Sequence, residues 1–126
     1  MSAKTAKIAV VEDDQVVRHT AVQLLELSTS QQVLAFEDGA SAWTHLSSDP
    51  AADVVITDMQ MPQMNGLELL SRLKEQDPAR ICIVMSGDPT NEPDARRLGA
   101  DAFLRKPFKI TDLVTVMRPL GVNTGT

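Results

Sequence analysis

The chain has 126 residues, with 17 Asp and Glu against 12 Lys and Arg, and carries a net charge of −5. This acidic balance and an aromatic content of 3% argue against binding to nucleic acid through phosphate contacts or base stacking. Hydrophobic residues make up 43%, which suits a packed core, and a single Cys excludes an intramolecular disulfide. Because no apolar run is long enough to cross a bilayer, we expect one acidic cytoplasmic domain over residues 1–126.

Five short apolar runs predict β-strands, and a helix-length segment follows each of them. The runs cover residues 8–11, 33–36, 54–57, 81–85 and 102–104. Amphipathic spacing predicts helices around 17–25, around 40–46, from 66 after an Asn65 cap, over 92–98 before Gly99, and over 110–117 before Pro119. The alternation predicts a doubly wound, five-stranded parallel sheet with helices on both faces. We expect its core to span about 7–118, with flexible termini.

Polar residues follow most of the predicted strands. They are Glu12, Asp13 and Asp14 after the first strand, Asp58 after the third, Ser86 after the fourth and Lys106 after the fifth. In an open α/β sheet, ligands bind outside the carboxyl ends of the strands, where the strand order reverses. We therefore expect Asp13, Asp14, Asp58, Ser86 and Lys106 to meet at one edge of the sheet.

A cluster of three carboxylates needs a compensating group. Two carboxylates about 4 Å apart repel each other by about 4 kcal/mol at an effective dielectric constant of about 20. A bound cation, a raised pKa or a positive side chain can relieve this repulsion. Oxygen ligands suit Mg²⁺, which is held by one or two carboxylates together with substrate phosphate, and Lys106 can supply a point charge opposite the metal.

These residue types match the needs of phosphoryl transfer. A carboxylate that stands alone at a strand end, such as Asp58, can attack phosphorus and form an acyl phosphate. The reaction depends mainly on positioning and on neutralising charge. Asp13 and Asp14 would hold the metal, while Ser86 and Lys106 would contact the phosphoryl oxygens.

With these residues in place, the chain resembles the receiver domains of bacterial response regulators over roughly residues 7–117. The motifs are Glu-Asp-Asp at 12–14, Asp-Met-Gln-Met-Pro at 58–62 followed by Gly66, Ser-Gly at 86–87 and Lys-Pro-Phe at 106–108. The resemblance implies a flavodoxin-like strand order of 2-1-3-4-5. It also implies that Asp58 accepts a phosphoryl group from a histidine kinase or a histidine phosphotransfer protein.

The resemblance assigns further roles to single residues. It implies that Mg²⁺ is bound by Asp13, Asp14, Asp58 and the backbone carbonyl of Gln60, that Ser86 and Lys106 bind phosphate, and that Gln60 and Asp88 tune the lifetime of the phosphoryl group. It implies a cis bond before Pro107, and a downstream protein bound on the face of the fourth helix, fifth strand and fifth helix. Phe103 stands where the family commonly has a switch Tyr, so it lacks the hydroxyl that marks the inward state.

Other interpretations of the same residues remain open. Asp13 or Asp14 can cap a helix, Ser86 can cap the helix after it, and the segment after Asp58 can be an ordinary turn. A Mg²⁺-dependent phosphatase would need a second acid two residues after the nucleophile, where this chain has Gln60. A phosphate-independent interaction module, or the receiver part of a longer regulator or hybrid kinase, is a further alternative.

Overall fold

The computed structural model describes residues 7–29, 32–48, 52–61 and 64–120. Five strands are present: β1 (Lys7–Val11), β2 (Val33–Phe36), β3 (Ala52–Asp58), β4 (Ile81–Ser86) and β5 (Ala102–Arg105). Five α-helices alternate with them: α1 (Gln15–Thr29), α2 (Gly39–Ser48), α3 (Gly66–Gln76), α4 (Glu92–Arg97) and α5 (Ile110–Met117). Short 3-10 helices cover Pro89–Asn91 and Arg118–Leu120. The predicted alternation of strands and helices is confirmed.

The five strands form one parallel sheet in the order β2-β1-β3-β4-β5, which confirms the predicted fold class. From β1, the second strand of the sheet, the chain moves outward to the edge strand β2 and then continues on the other side of β1 with β3. The strand order therefore reverses between β1 and β3, where Val11 lies beside Thr57. The carboxyl ends of these two strands flank the crevice that this topology creates.

The core lies in two layers, one on each face of the sheet. Successive residues of a strand point to opposite faces, so Ala9 and Val11 of β1 enter one layer and Ile8 and Val10 enter the other. α2, α3 and α4 pack on the first layer, whereas α1 and α5 pack on the second. Because both faces are covered, the central strands are apolar along most of their length, as the continuous runs predict.

The start of α3 is tightly packed against the end of β3. The side chain of Asn65 accepts a hydrogen bond from the backbone N–H of Glu68 and caps α3, as predicted. Gly66 donates its N–H to the carbonyl of Met59, and a Cβ at this position would lie 2.0 Å from the carbonyl oxygen of Asp58. Only glycine fits here, so Gly66 fixes the path of the chain directly after Asp58.

Several element boundaries differ from the prediction. β3 begins two residues earlier, at Ala52, and includes Asp58, while β4 extends to Ser86 and β5 to Arg105. The added residues at the carboxyl ends, Asp58, Ser86 and Arg105, are polar, but their backbones continue the pairing of the strands, which the hydrophobicity of side chains does not indicate. α4 ends before Gly99, whose φ of 106° is the left-handed conformation expected after a helix.

The terminal residues are described in part. Leu120 lies in a 3-10 helix, while residues 1–6 and 121–126, where flexible tails are expected, lie outside the described residues. The same is true of Pro62 in the motif that follows Asp58. Within the described ranges, no helix has the length and the apolar character needed to cross a membrane.

Candidate functional site

Lys106 links two acidic residues at the carboxyl edge of the sheet. Its Nζ donates a hydrogen bond to Oε1 of Glu12 and lies 3.1 Å from Oδ1 of Asp58. The side chains of Glu12, Asp58 and Lys106 are 0%, 12% and 23% exposed, so the three charges are largely withdrawn from water. The ends of β1, β3 and β5 therefore meet at one point, as the topology predicts for Asp58 and Lys106.

The charge of Lys106 compensates the burial of Glu12. Burial raises the pKa of the Glu12 carboxyl above its ordinary value, although the hydrogen bonds from Lys106 and from the backbone N–H of Asp14 oppose this rise. Burial also lowers the pKa of the Lys106 ammonium, but the hydrogen bond to Glu12 and the charge of Asp58 outweigh it, so the net pKa is raised. Lys106 thus keeps its positive charge at neutral pH.

Three acids converge beside this ion pair. Carboxylate oxygens of Glu12, Asp13 and Asp58, one from each residue, lie within 4.8 Å of one another. Glu12 and Asp58 are buried, whereas Asp13 is exposed, so the group is open to solvent on the side of Asp13. An all-oxygen donor set with one open side fits a hard divalent cation that keeps several water ligands, which is how proteins bind Mg²⁺.

The acids after β1 do not have the arrangement predicted for them. Asp14 lies outside the acidic group and caps α1, because its Oδ1 accepts hydrogen bonds from the backbone N–H groups of Val16 and Val17 at 2.9 and 3.1 Å. Glu12 occupies the place expected of Asp14. The reason is that β1 ends at Val11, so Glu12 and Asp13 still reach the edge of the sheet, while the chain has already turned into α1 at Asp14.

Asp58 is the last residue of β3, and the contacts of its side chain are all made by one carboxylate oxygen. Oδ1 accepts a hydrogen bond from the backbone N–H of Met59 at 3.0 Å and also contacts Lys106. Among the described residues, no hydrogen-bond donor reaches Oδ2. One carboxylate oxygen therefore orients the group, and the other is left for an incoming ligand.

The hydroxyl of Ser86 belongs to the same edge but contacts its own loop. The backbone N–H of Asp88 and the side-chain amide of Asn91 donate to Ser86 Oγ at 3.0 and 2.9 Å. The hydroxyl in turn donates to the backbone carbonyl of Asp88 at 3.3 Å. The backbone of Ser86 is joined to β5, because its carbonyl accepts from the N–H of Lys106 at 2.8 Å.

The two residues expected to tune the site have different surroundings. Asp88 caps the 3-10 helix that precedes α4, and hydrogen bonds from the side chain and backbone of Thr90 lower the pKa of its carboxyl. Gln60 is exposed, and together with Asn65 and Asn91 it lines a cavity of about 310 Å³. Asp88 is thus already engaged in its own loop, whereas Gln60 faces open space.

Phe103 and Pro107 are placed by β5. Phe103 is half-buried and packs against the core layer that contains α3 and α4. The Lys106–Pro107 bond is cis, as expected.

Two residues of the site were not assigned a role from the sequence. Glu12 could have been found from its position directly after β1. Asn91 could not, because its contact with Ser86 is a tertiary contact that leaves no pattern in the sequence.

The chain is similar to known proteins over most of its length. A family model described as the response regulator receiver domain matches residues 8–118. The transcriptional regulatory protein FlgR of Helicobacter pylori is 39% identical over 103 residues, which cover 82% of this chain and 26% of FlgR. A chemotaxis protein CheY homolog of Campylobacter jejuni is 32% identical over 106 residues, covering 81% of this chain and 82% of that protein.

Structural similarity agrees with the sequence matches. A crystal structure of a response regulator receiver domain protein from Clostridium thermocellum is 30% identical, has a TM-score of 0.84, and aligns over 91% of this chain and 93% of its own. The chain therefore belongs to the response regulator receiver domain family and is a receiver domain of two-component systems. It spans about a quarter of the length of FlgR.

Proposed function

We propose that this receiver domain is phosphorylated on Asp58 by a phosphohistidine of a kinase or phosphotransfer protein, in the presence of Mg²⁺. The observation that carries the proposal is the position of Lys106, which binds Glu12 and Asp58 together at the edge where three acids converge. A site of this kind has the charges needed to accept a doubly charged phosphoryl group. The acids that would hold Mg²⁺ are Glu12, Asp13 and Asp58, with the backbone carbonyl of Gln60.

The chemistry follows from the free oxygen of Asp58. Oδ2 attacks phosphorus, the bond between phosphorus and the imidazole nitrogen breaks, and the nitrogen keeps the electron pair. Lys106 then interacts with the phosphoryl oxygens, and the hydroxyl of Ser86 donates a hydrogen bond to one of them. When bound, Mg²⁺ would supply positive charge that offsets the phosphoryl oxygens and the acids. Water later hydrolyses the acyl phosphate, slowly, since Gln60 has no ionisable group to act as a base.

The output would be a change in the protein-binding face formed by α4, β5 and α5. Ser86 ends β4 and is followed by the loop into α4, while Lys106 directly follows β5. The backbone hydrogen bond between Ser86 and Lys106 connects these two segments. A phosphoryl group that attracts both side chains would therefore act on the start of α4 and the end of β5 together. We expect the downstream protein to bind there, and the receiver to act in the cytoplasm with its kinase.

The direct test is incubation with acetyl phosphate and Mg²⁺, followed by intact-mass measurement. We expect the mass of one phosphoryl group to be added, to be removed by hydroxylamine, and to be absent with a chelator or in Asp58→Asn. Asp38→Asn is the matched control, because Asp38 caps α2 through a hydrogen bond from Ser41 and does not belong to the acidic group. A stable adduct on a Ser or His, or an adduct that persists in Asp58→Asn, would contradict the proposal.

A further inference from the structure

The hydroxyl of Ser86 is saturated by hydrogen bonds in this structure. A serine hydroxyl can donate one hydrogen bond and accept two, and Ser86 makes all three, to Asp88 and Asn91. All three partners lie in the segment that follows Ser86, so the hydroxyl is tied to its own loop. Its one hydroxyl hydrogen is already donated to the carbonyl of Asp88, so Ser86 can donate to a phosphoryl oxygen only if the hydroxyl leaves its present orientation.

Asn91 contributes one of these three bonds, and its side chain is used in an unusual way. Asn91 stands at the N-cap position of α4, where an Asn side chain normally accepts a hydrogen bond from the first turn of the helix. Here its side chain makes no capping bond. Its amide nitrogen donates to Ser86 Oγ at 2.9 Å, which is the shortest of the three contacts.

We propose that Asn91 is a positioning residue that holds the Ser86 hydroxyl in its resting orientation, and that phosphorylation of Asp58 must release this bond. The inference rests on the proposed function, in which Ser86 binds a phosphoryl oxygen. The other two bonds of the hydroxyl involve the backbone of Asp88, so they are present with any side chain there. The bond from Asn91 is made by a side chain, so a substitution at position 91 can strengthen or remove it.

The release of Asn91 also connects the site to α4. Asn91 is the last residue of the 3-10 helix and directly precedes Glu92, the first residue of α4. The hydrogen bond from its side chain therefore joins the hydroxyl of Ser86 to the residue at which α4 begins. The same contact thus opposes the phosphorylated state and ties Ser86 to the start of the helix.

The experiment is a titration of the unphosphorylated protein with beryllium fluoride and Mg²⁺, which mimic a phosphoryl group on Asp58. Asn91→Leu keeps the size of the side chain but cannot donate a hydrogen bond. Because one neutral hydrogen bond no longer has to be broken, we expect half-saturation at a concentration about five-fold lower than in the wild type. We also expect the backbone amide signals of Ser86 and Gly87 in the free variant to shift toward their positions in the saturated protein.

Two further variants separate positioning from a general loosening of the segment. Glu92→Gln removes the ion pair between Glu92 and Arg96 in the first turn of α4, leaves Ser86 untouched, and should titrate as the wild type does. In a Ser86→Ala background, Asn91→Leu should have no effect, because the hydroxyl through which Asn91 acts is gone.

The outcomes distinguish this inference from the function on which it rests. If the wild type neither gains a phosphoryl group from acetyl phosphate nor responds to beryllium fluoride, the proposed function fails. If the wild type responds but Asn91→Leu titrates identically, or if Asn91→Leu has the same effect with and without the Ser86 hydroxyl, the positioning role is overturned and the proposed function stands.

Discussion

Lys106 is the residue on which the resting site depends electrostatically. It is the cation that contacts both Glu12 and Asp58, and Glu12 is fully buried. A buried carboxylate that loses its partner must either remain charged in a poorly solvated place or bind a proton, and both cost free energy. The same lysine that would bind a phosphoryl group therefore also stabilises the unphosphorylated protein.

We predict that Lys106→Ala folds but loses about 2 kcal/mol of unfolding free energy in the presence of a chelator, because Glu12 loses its partner. The loss is limited because Lys106 is partly exposed and because Glu12 can bind a proton instead. Urea unfolding measures this loss. Arg105→Ala is the matched control, because it removes the same charge from an exposed neighbour on β5 and should change stability little. An unchanged midpoint for Lys106→Ala would remove the electrostatic role.

Among the α-helices that the structure describes, α4 buries the fewest apolar residues. It has six residues, and within it only Ala95 is buried, while Leu98 just beyond it is half-buried. α3, on the same face of the sheet, buries Leu69, Leu70 and Leu73. Because a buried Leu stabilises by roughly 1.5–3 kcal/mol and a buried Ala by less, α4 can shift at lower cost than α3. A helix at the proposed output face needs this property.

We predict that backbone amides of residues 88–98 exchange with deuterium much faster than those of β4 or α3, because few buried contacts must break to open this segment. Native-state hydrogen exchange followed by mass spectrometry or NMR measures the difference. Protection of residues 88–98 equal to that of the central strands would show that the segment opens only when the whole domain unfolds.

At the scale of the whole molecule, the acidic group makes stability depend on bound cations. Carboxylates of Glu12, Asp13 and Asp58 lie close together in a protein whose net charge is already −5, and Lys106 offsets one of these three charges. A cation that binds the folded state and not the unfolded chain stabilises the fold by mass action. The proposed Mg²⁺ site therefore has a consequence that does not require phosphorylation.

We predict that Mg²⁺ raises the melting temperature and that a chelator reverses this effect. When Mg²⁺ is present at about a hundred times its Kd, the free energy of unfolding should increase by about 2.7 kcal/mol. Asp13→Asn should lose this gain. Asp14→Asn should keep it, since Asn caps a helix as well as Asp does. Calorimetry with and without Mg²⁺ measures both variants. If Asp14→Asn lost the stabilisation by Mg²⁺ and Asp13→Asn kept it, Asp14 and not Asp13 would be the metal ligand.

Much of the architecture could be read from periodicity and helix caps. The continuous apolar runs located all five strands, and Asn65 and Gly99 marked the start of α3 and the end of α4 correctly. The ends of β3, β4 and β5 could not be located in this way, because Asp58, Ser86 and Arg105 are polar residues that stay in the sheet through backbone pairing. The hydrophobic pattern of the side chains indicates which residues are buried, but it does not indicate which residues form main-chain hydrogen bonds.

The amino-acid sequence by itself determined the doubly wound sheet and the edge at which Asp13, Asp58, Ser86 and Lys106 gather, since both follow from the order of apolar runs and the residues after them. Only the tertiary structure decided which neighbouring acid lies with Asp13 in the site and which one caps a helix. Glu12 and Asp14 differ by two positions, and the turn from β1 into α1 separates them. The contact of Asn91 with Ser86 was likewise a tertiary outcome, because a side-chain hydrogen bond across a loop depends on where the backbone brings the two groups.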